Sequence, residues 1–423
     1  MSALALAGGA AVRSKPFPPH PIIGDEEKQA VLDVLNCGEL STFIAVQGEY
    51  FNGGQKIKEF ERRFADYHSV RFAVAFNSAT AALHAAVVAV GVEPGEEVIV
   101  PAYTFTSTAT CVLMHNAIPV FADVDDEVFG LDADSIRQVF SPLTRAIIPV
   151  HLFGHPADMG PIVEFARAHG LRVIEDCAQA PGASYLGKRV GTIGDCGIFS
   201  FTENKNITTG EGGMLLTDDA QIADVARLVR NHGEIILEGQ AERTYNSTIL
   251  GWNYRMTEME AALGIIQFGR MDELNDRRIA LAEYLSMRIE GIDGLVLPVV
   301  RAGSRHVFYI FAMRYVEKRL GMPRSLFVDA LRAEGIPVGA GYVRPLYLSG
   351  LYHKNRPFAF VHYGGSARYD EGICPTIERL HSSELVTLAM VRPPATFKDM
   401  DDVAEAILKV VNGRDELVAL VQG

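Results

Sequence analysis

The segment Phe199-Ser-Phe-Thr-Glu-Asn-Lys205-Asn-Ile-Thr-Thr-Gly-Glu-Gly-Gly213 sets a lone lysine on a polar loop between two apolar runs and follows it with a glycine-rich turn. An amine taken partly out of water loses some of its preference for the charged form, and a neutral amine attacks a carbonyl to give a Schiff base. The same lysine also reads as a solvated loop residue. The glycines let backbone approach a ligand closely or take positive φ, although they also serve plain turns. Val173-Ile-Glu-Asp176-Cys-Ala-Gln179 ends an apolar run in a carboxylate. In a parallel sheet that is the carboxyl edge, where ligands bind, and an aspartate there suits a protonated ring nitrogen. Followed by Cys-Ala-Gln-Ala, Asp176 also reads as a helix N-cap.

Phe76-Asn-Ser-Ala-Thr80-Ala-Ala-Leu-His places small and hydroxyl residues where a strand turns into an Ala-rich helix. The free N–H groups and positive end of such a helix suit a phosphate, while a simple cap needs the same residues. The turn has neither the lysine of GxxxxGK[ST] nor the glycines of GxGxxG, which points away from nucleoside triphosphate or dinucleotide chemistry. In Ala102-Tyr-Thr-Phe105 an aromatic is available to lie over a planar ring, or to fill core. The spacing of His84, His151 and His155 supports no metal cage, so no metal is expected.

The elements that must position these residues follow from periodicity. Arg71 to Phe76, Glu97 to Val100, Pro119 to Ala122, Ala146 to Val150, Arg172 to Glu175, Cys196 to Phe201 and Met214 to Thr217 are short apolar runs bounded by turn residues, with helical segments between most of them. They predict an α/β fold with a mostly parallel central sheet wrapped by helices. Residues 256–290 carry one long amphipathic pattern leading into a second, α+β region, with a strand at His306 to Tyr315, a helix at Arg324 to Glu334 and a final helix at Asp401 to Val411. The expected division is a large domain over 1–265, whose segment of about 1–55 packs at the active site, and a smaller C-terminal domain over 266–423.

Composition sets the surroundings. With 423 residues, 48% of them hydrophobic, the chain is long enough for two domains. A balance of 39 Lys+Arg against 52 Asp+Glu argues against nucleic-acid or anionic-membrane binding. The N-terminus has no signal-peptide pattern, and the most apolar stretch, Ala73 to Val92, is interrupted by Asn77 and His84, so no membrane span is expected. Five cysteines without a CxxC fit neither a disulfide framework nor a zinc site, and point to a reducing cytoplasm.

Taken together, Asn77-Ser-Ala-Thr80, Pro101-Ala-Tyr-Thr-Phe105, the run from Val173 to Gln179, the block from Ser200 to Gly213 and Gly251-Trp-Asn253-Tyr-Arg255 resemble the DegT/StrS family, in family order and spacing from about residue 20 onward. That resemblance implies a fold type I, pyridoxal 5'-phosphate (PLP) aminotransferase of amino-sugar, aminocyclitol or antibiotic biosynthesis, cycling with pyridoxamine 5'-phosphate. It implies Lys205 as the Schiff-base lysine, Asp176 as partner of the pyridine nitrogen and Gln179 near the phenolic oxygen. Ala79, Thr80 and Ser200 match phosphate ligands, Phe105 the stacking aromatic, and Asn253 a phosphate ligand from the neighbouring subunit, hence a homodimer with shared sites. Family dehydratases carry histidine at the lysine position, so Lys205 favours transamination. The implied donor is glutamate or glutamine, and the implied acceptor a keto group on a nucleotide-linked sugar, or else on a cyclitol or related carbocycle. A non-catalytic regulatory homologue is the reading from another class.

The chain departs from the family pattern in its second half. His306-Val-Phe-Tyr309 stands where His, aromatic, His is usual, and Tyr347 where His is frequent. Cys374-Pro-Thr-Ile-Glu378 resembles the Pro-x-x-Glu block, but Leu385 to Pro394 lacks the usual Leu-Pro pair and is closer to the cyclitol and aminoshikimate-type members. An insertion from Ile44 to Gln55 is a candidate pocket wall.

Overall fold

The computed structural model describes residues 4–43, 48, 50–237, 245–354, 357–361 and 363–422. The apolar runs become β1 (Phe72–Phe76), β2 (Glu97–Pro101), β3 (Ile118–Ala122), β4 (Thr144–Ile147) and β5 (Arg172–Asp176). After the short segments β6 (Ser184–Tyr185) and β7 (Lys188–Arg189) come β8 (Cys196–Ser200) and β9 (Gly213–Thr217). Seven of these form one sheet in the order β1-β9-β8-β5-β4-β2-β3. The pairs from β8 through β3 are parallel, and β9 alone runs antiparallel to both its neighbours. Strands covered on both faces need apolar residues at successive positions, so they appear in the sequence as unbroken runs.

The covering helices are α1 (Asp25–Cys37), α2 (Gln55–His68), α3 (Ala79–Ala89), α4 (Ser107–Met114), α5 (Ala133–Val139), α6 (Met159–His169), α7 (Ala220–Arg230) and α8 (Glu258–Gly269). Helix α3 has no polar face, because Ala81 through Val87 are all buried between the sheet and its neighbours α4 and α7. Its alanine content lets backbone lie close to the sheet, which brings its N-terminus to the strand edge.

The second half contains α9 (Met271–Ile289), β10 (Leu295–Val296), β11 (Ser304–Arg305), β12 (Phe311–Tyr315), α10 (Glu317–Leu320), α11 (Arg324–Ala333) and β13 (Gly339–Ala340). It closes with α12 (Pro375–Arg379), β14 (Leu385–Leu388), α13 (Phe397–Asn412) and α14 (Arg414–Gln422). An antiparallel sheet, β10-β12-β14-β13, packs on α9, α11 and α13 around Phe311, Phe327, Val386 and Ile407. No helix among the described residues is long and apolar enough to cross a membrane.

Three expectations change in detail. The long pattern over 256–290 is two helices, broken at Arg270, whose guanidinium bonds Glu27 of α1 at 2.8 Å. The strand expected from His306 begins only at Phe311. The backbone turns first at Phe308, with φ of 44°, and folds round Gly154, where a Cβ would lie 2.8 Å from the Tyr309 nitrogen. Helix α14 extends beyond the last helix expected.

The two ends of the chain also mix. Leu4 belongs to the second core. The Ala5 and Val12 N–H groups donate to the Glu334 carboxylate at 2.9 and 3.0 Å, and Arg13 pairs with Asp399 and Asp402. Residues before about 17 therefore lie against the C-terminal half rather than at the lysine loop, which the N-terminal segment first reaches at His20. Because residue 265 lies inside α8, we propose the α8–α9 junction as the division between the halves.

Candidate active site

Ala79, Thr80, Phe105, Asp176, Gln179, Ser200 and Lys205 line one cavity at the carboxyl edge of the large sheet. Asp176 is the last residue of β5 and nearly inaccessible. Its Oδ2 accepts from Thr108 Oγ1 at 2.8 Å and its Oδ1 from the Ala178 N–H at 3.1 Å. No helix follows, so the N-cap reading has nothing to cap. Burial raises the proton affinity of this carboxyl, while the Thr108 hydroxyl, the Ala178 N–H and the charge of Lys205 pull the other way.

Lys205 lies on the hairpin loop between β8 and β9. Although the residue as a whole is half-buried, its amine is enclosed, with Nζ 4.6 Å from the centre of the Tyr309 ring. Burial lowers its pKa to about 8, against the opposing charges of Asp176 and Glu211. A substantial share of the amine is then neutral near physiological pH, as a nucleophile requires.

Helix α3 opens on the same cavity. Ser78 caps it by accepting from the Ala81 N–H at 3.1 Å, and the Ala79 and Thr80 N–H groups, in the first turn, have no intrahelical acceptor. Strand β9 begins against this turn: a Cβ on Gly213 would lie 2.5 Å from the Ser78 carbonyl and 2.6 Å from the Ala79 nitrogen. Gly210, with φ of 86° and open space around it, serves the turn instead. Gln179 is fixed by the Phe153 N–H, which donates to Oε1 at 2.8 Å, leaving Nε2 to donate to Tyr342 Oη at 3.2 Å.

Asn253 is not among the lining residues. It is exposed, with its backbone paired to Asn231 and its carbonyl accepting from Asn77 Nδ2 at 3.4 Å. Tyr347 is fully buried and donates to Glu378, so of the two departures from the family's histidines only Tyr309 faces the cavity. Of the insertion from Ile44 to Gln55, residues 44–47 and 49 lie outside the described residues. None of its described residues lines the cavity.

The sequence reading missed Thr108, Tyr342 and Glu211. For Thr108 the signal was the polar run Thr104-Phe-Thr-Ser-Thr108 at a strand-to-helix turn. His84 meets Tyr254 Oη at 3.1 Å, and His155 donates to the Pro156 carbonyl at 2.7 Å. His151 lies with Glu175 and Cys177 in a buried cluster. There His151 Nδ1 accepts from the Ala157 N–H, so Nε2 donates to Glu175. Glu175 also accepts from the N–H groups of Gly191, Ile193 and Gly194. That set of hydrogen bonds accounts for the carboxylate without a cation.

Known proteins resemble the chain in sequence and in fold. A sequence model described as the DegT/DnrJ/EryC1/StrS aminotransferase family matches residues 23–379. GDP-perosamine synthase of Caulobacter vibrioides is 41% identical over 317 residues, 75% of this chain and 81% of its own. UDP-N-acetyl-3-dehydro-alpha-D-glucosamine 3-aminotransferase of Acidithiobacillus ferrooxidans is 37% identical over 361 residues, 85% and 90% of the two chains. Among solved structures, an aminotransferase from Psychrobacter cryohalolentis superposes with a TM-score of 0.84 at 31% identity, covering 94% of this chain and 99% of that one. 3-Amino-5-hydroxybenzoic acid synthase superposes at 0.81 and 29% identity, covering 96% and 100%. Since the matched stretch contains the lysine loop, the β5 carboxylate and the α3 turn that meet in one cavity, this enzyme belongs to the DegT/DnrJ/EryC1/StrS aminotransferase family.

Proposed function

We propose that the enzyme uses PLP to move the amino group of glutamate or glutamine onto a keto group of a nucleotide-linked sugar. The observation that carries the reading is the meeting, in one cavity, of an enclosed Lys205 amine with lowered proton affinity and the buried Asp176 carboxylate. The donor set fits the cofactor. The α3 turn, closed from behind by Gly213, offers N–H groups and the Thr80 hydroxyl for a phosphate, with Ser200 beside them. Asp176 offers an anion for a ring nitrogen, and Phe105 an exposed aromatic face. When bound, PLP supplies an electron sink for the carbon that exchanges its amine.

The residues of the chain supply the rest. Lys205 would hold the cofactor through its carbonyl, and its amine, once free, would serve as general base and then acid for the proton on the donor's α-carbon. Asp176, fixed by Thr108 and the Ala178 N–H, would keep a ring nitrogen protonated. Gln179 Nε2, held by its Oε1 bond to Phe153, presents a donor to an oxygen on the ring. Asn253 would complete a phosphate site across a homodimer. The exposed side chains of Tyr245 and Leu250 in the segment leading to it suit such an interface.

The nucleotide-sugar assignment rests on the named activities of the two relatives. A keto-carbocycle is the second reading, supported by the likeness to 3-amino-5-hydroxybenzoic acid synthase and by the missing Leu-Pro pair between Leu385 and Pro394. A half-reaction screen tests both. Protein loaded with PLP should show a visible absorbance band that L-glutamate or L-glutamine removes, and a keto-sugar nucleotide or keto-cyclitol should restore it. Protein that traps no carbonyl on Lys205 under borohydride ends the reading.

A further inference from the structure

A glutamate donor brings a second carboxylate at the end of its side chain, which needs a cation. Among the described residues, the lining of the cavity carries a single cation, Lys205, which is committed to chemistry, facing Asp176 and Glu211. Behind Tyr309 and Asn204, however, lie two more. Arg278 of α9 is 1% exposed, and its Nε and one terminal nitrogen have no hydrogen-bond partner among the described residues. Arg392, beyond β14, is half-buried and donates to the Asn204 carbonyl at 3.3 Å. Neither forms an ion pair with a carboxylate among the described residues. His20 closes the corner, its Nε2 3.1 Å from the Lys205 carbonyl oxygen.

The electrostatics describe one cluster. Burial and then the charge of Arg392 lower Arg278 to about 9. Burial followed by both guanidinium charges lowers His20 to about 4, so the imidazole is neutral. Tyr309 feels both arginines as well. A guanidinium kept from water without an anion, as Arg278 is, is costly, the more so with the charge of the half-buried Arg392 acting on it, and buried charges are as a rule paired. The fork of a guanidinium matches the planar oxygens of a carboxylate.

We propose that Arg278 and Arg392 form a subsite for the side-chain carboxylate of a glutamate donor, with Tyr309 and Asn204 between it and the reacting end of the cavity. This inference rests on the aminotransferase reading above. The enclosure of Arg278 selects the ligand: a carboxylate ends its chain and fits a closed corner, whereas the diphosphate of a sugar nucleotide carries bulky groups at both ends. Arg392, the less buried of the pair, meets the carboxylate from the cavity side.

The test uses the purified, PLP-loaded enzyme, with glutarate as a non-reacting probe followed by calorimetry and L-glutamate saturation followed by absorbance. Arg392→Met should weaken glutarate binding and raise the glutamate concentration for half-maximal rate tenfold or more, with a smaller change in kcat, and Arg392→Lys should fall between. Arg278→Met should act in the same direction where its melting curve shows a folded protein. Wild-type enzyme that binds no glutarate, or a folded Arg392→Met variant with unchanged glutarate and glutamate affinities, overturns the subsite. So does a loss seen with uridine diphosphate but not with glutarate. Failure of the aminotransferase reading is separate: it shows as wild-type protein that takes up no PLP.

Discussion

Thr108 Oγ1 donates to Asp176 Oδ2 at 2.8 Å, joining the first turn of α4 to the end of β5 across 68 positions of sequence. Both groups are buried, so the hydroxyl opposes the burial that drives this carboxyl toward its neutral form. Thr108→Val keeps the shape and removes the donor. A hydrogen bond to a charged group contributes about 1.5–3 kcal/mol, so turnover should fall by roughly ten- to a hundredfold with the fold intact. Asp176→Asn should lose most activity, since a neutral amide cannot keep a ring nitrogen protonated. Near-normal rates in both variants would mean that Asp176 is only structural.

Lys205 gives a pH prediction. With its amine titrating at about 8, capture of added PLP by the apoprotein should accelerate roughly tenfold per pH unit below that value and level off above it. An ordinary lysine would keep accelerating to about 10.5. Stability follows the opposite bookkeeping: the folded pKa lies below the unfolded one, so the penalty is full below about 8 and disappears as pH rises towards 10.5. Lys205→Met should therefore raise the melting temperature of the apoprotein at neutral pH and lose that advantage in strong alkali, while abolishing turnover. A wild-type capture rate still climbing at pH 10 would refute the lowered pKa.

Gly213 and Gly210 should separate two roles of glycine. Gly213→Ala drives a methyl into the Ser78 backbone at 2.5 Å, and overpacking of this kind costs about 1–3 kcal/mol. Weaker PLP retention should accompany the lower melting temperature, because the displaced turn is the phosphate site. Gly210→Ala strains only a positive φ in open space, at about 1–2 kcal/mol, and should leave PLP retention unchanged. Equal PLP loss in the two variants would break the link between Gly213 and the phosphate turn.

Asn253 tests sharing between subunits. If it completes the partner's site, mixing Lys205→Ala chains with Asn253→Ala chains yields heterodimers in which one site carries both lesions and the other neither. Activity should rise above both parents after subunit exchange. Verified heterodimers no more active than the parental average would place each site within one chain.

The sequence disclosed what periodicity and local chemistry encode. Buried parallel strands print as apolar runs, and the lysine loop, the β5 carboxylate and the α3 turn are each contiguous blocks. What stayed hidden depends on contacts between distant segments. Thr108 looks like one hydroxyl among several until α4 packs beside β5. Arg278 sits in an amphipathic pattern that suggests a solvated face, yet α9 buries it, within reach of the charge of Arg392 far along the chain. The residues around Leu4 gave no sign that they would join the C-terminal core, because short apolar stretches carry no address.

The hairpin that carries Lys205 is also a ruler. Ser200 pairs with Gly213 in the antiparallel register of β8 and β9, and side chains alternate across a strand with period two. With β8 held in place, one residue deleted between them would slide Met214 into the place that only glycine fills beside Ser78, and with β9 held in place it would turn Ser200 from the cavity. Loop exchange between relatives should therefore succeed when the span from Ser200 to Gly213 is transplanted whole. It should fail when one residue is deleted from it, however conservative the residues that remain.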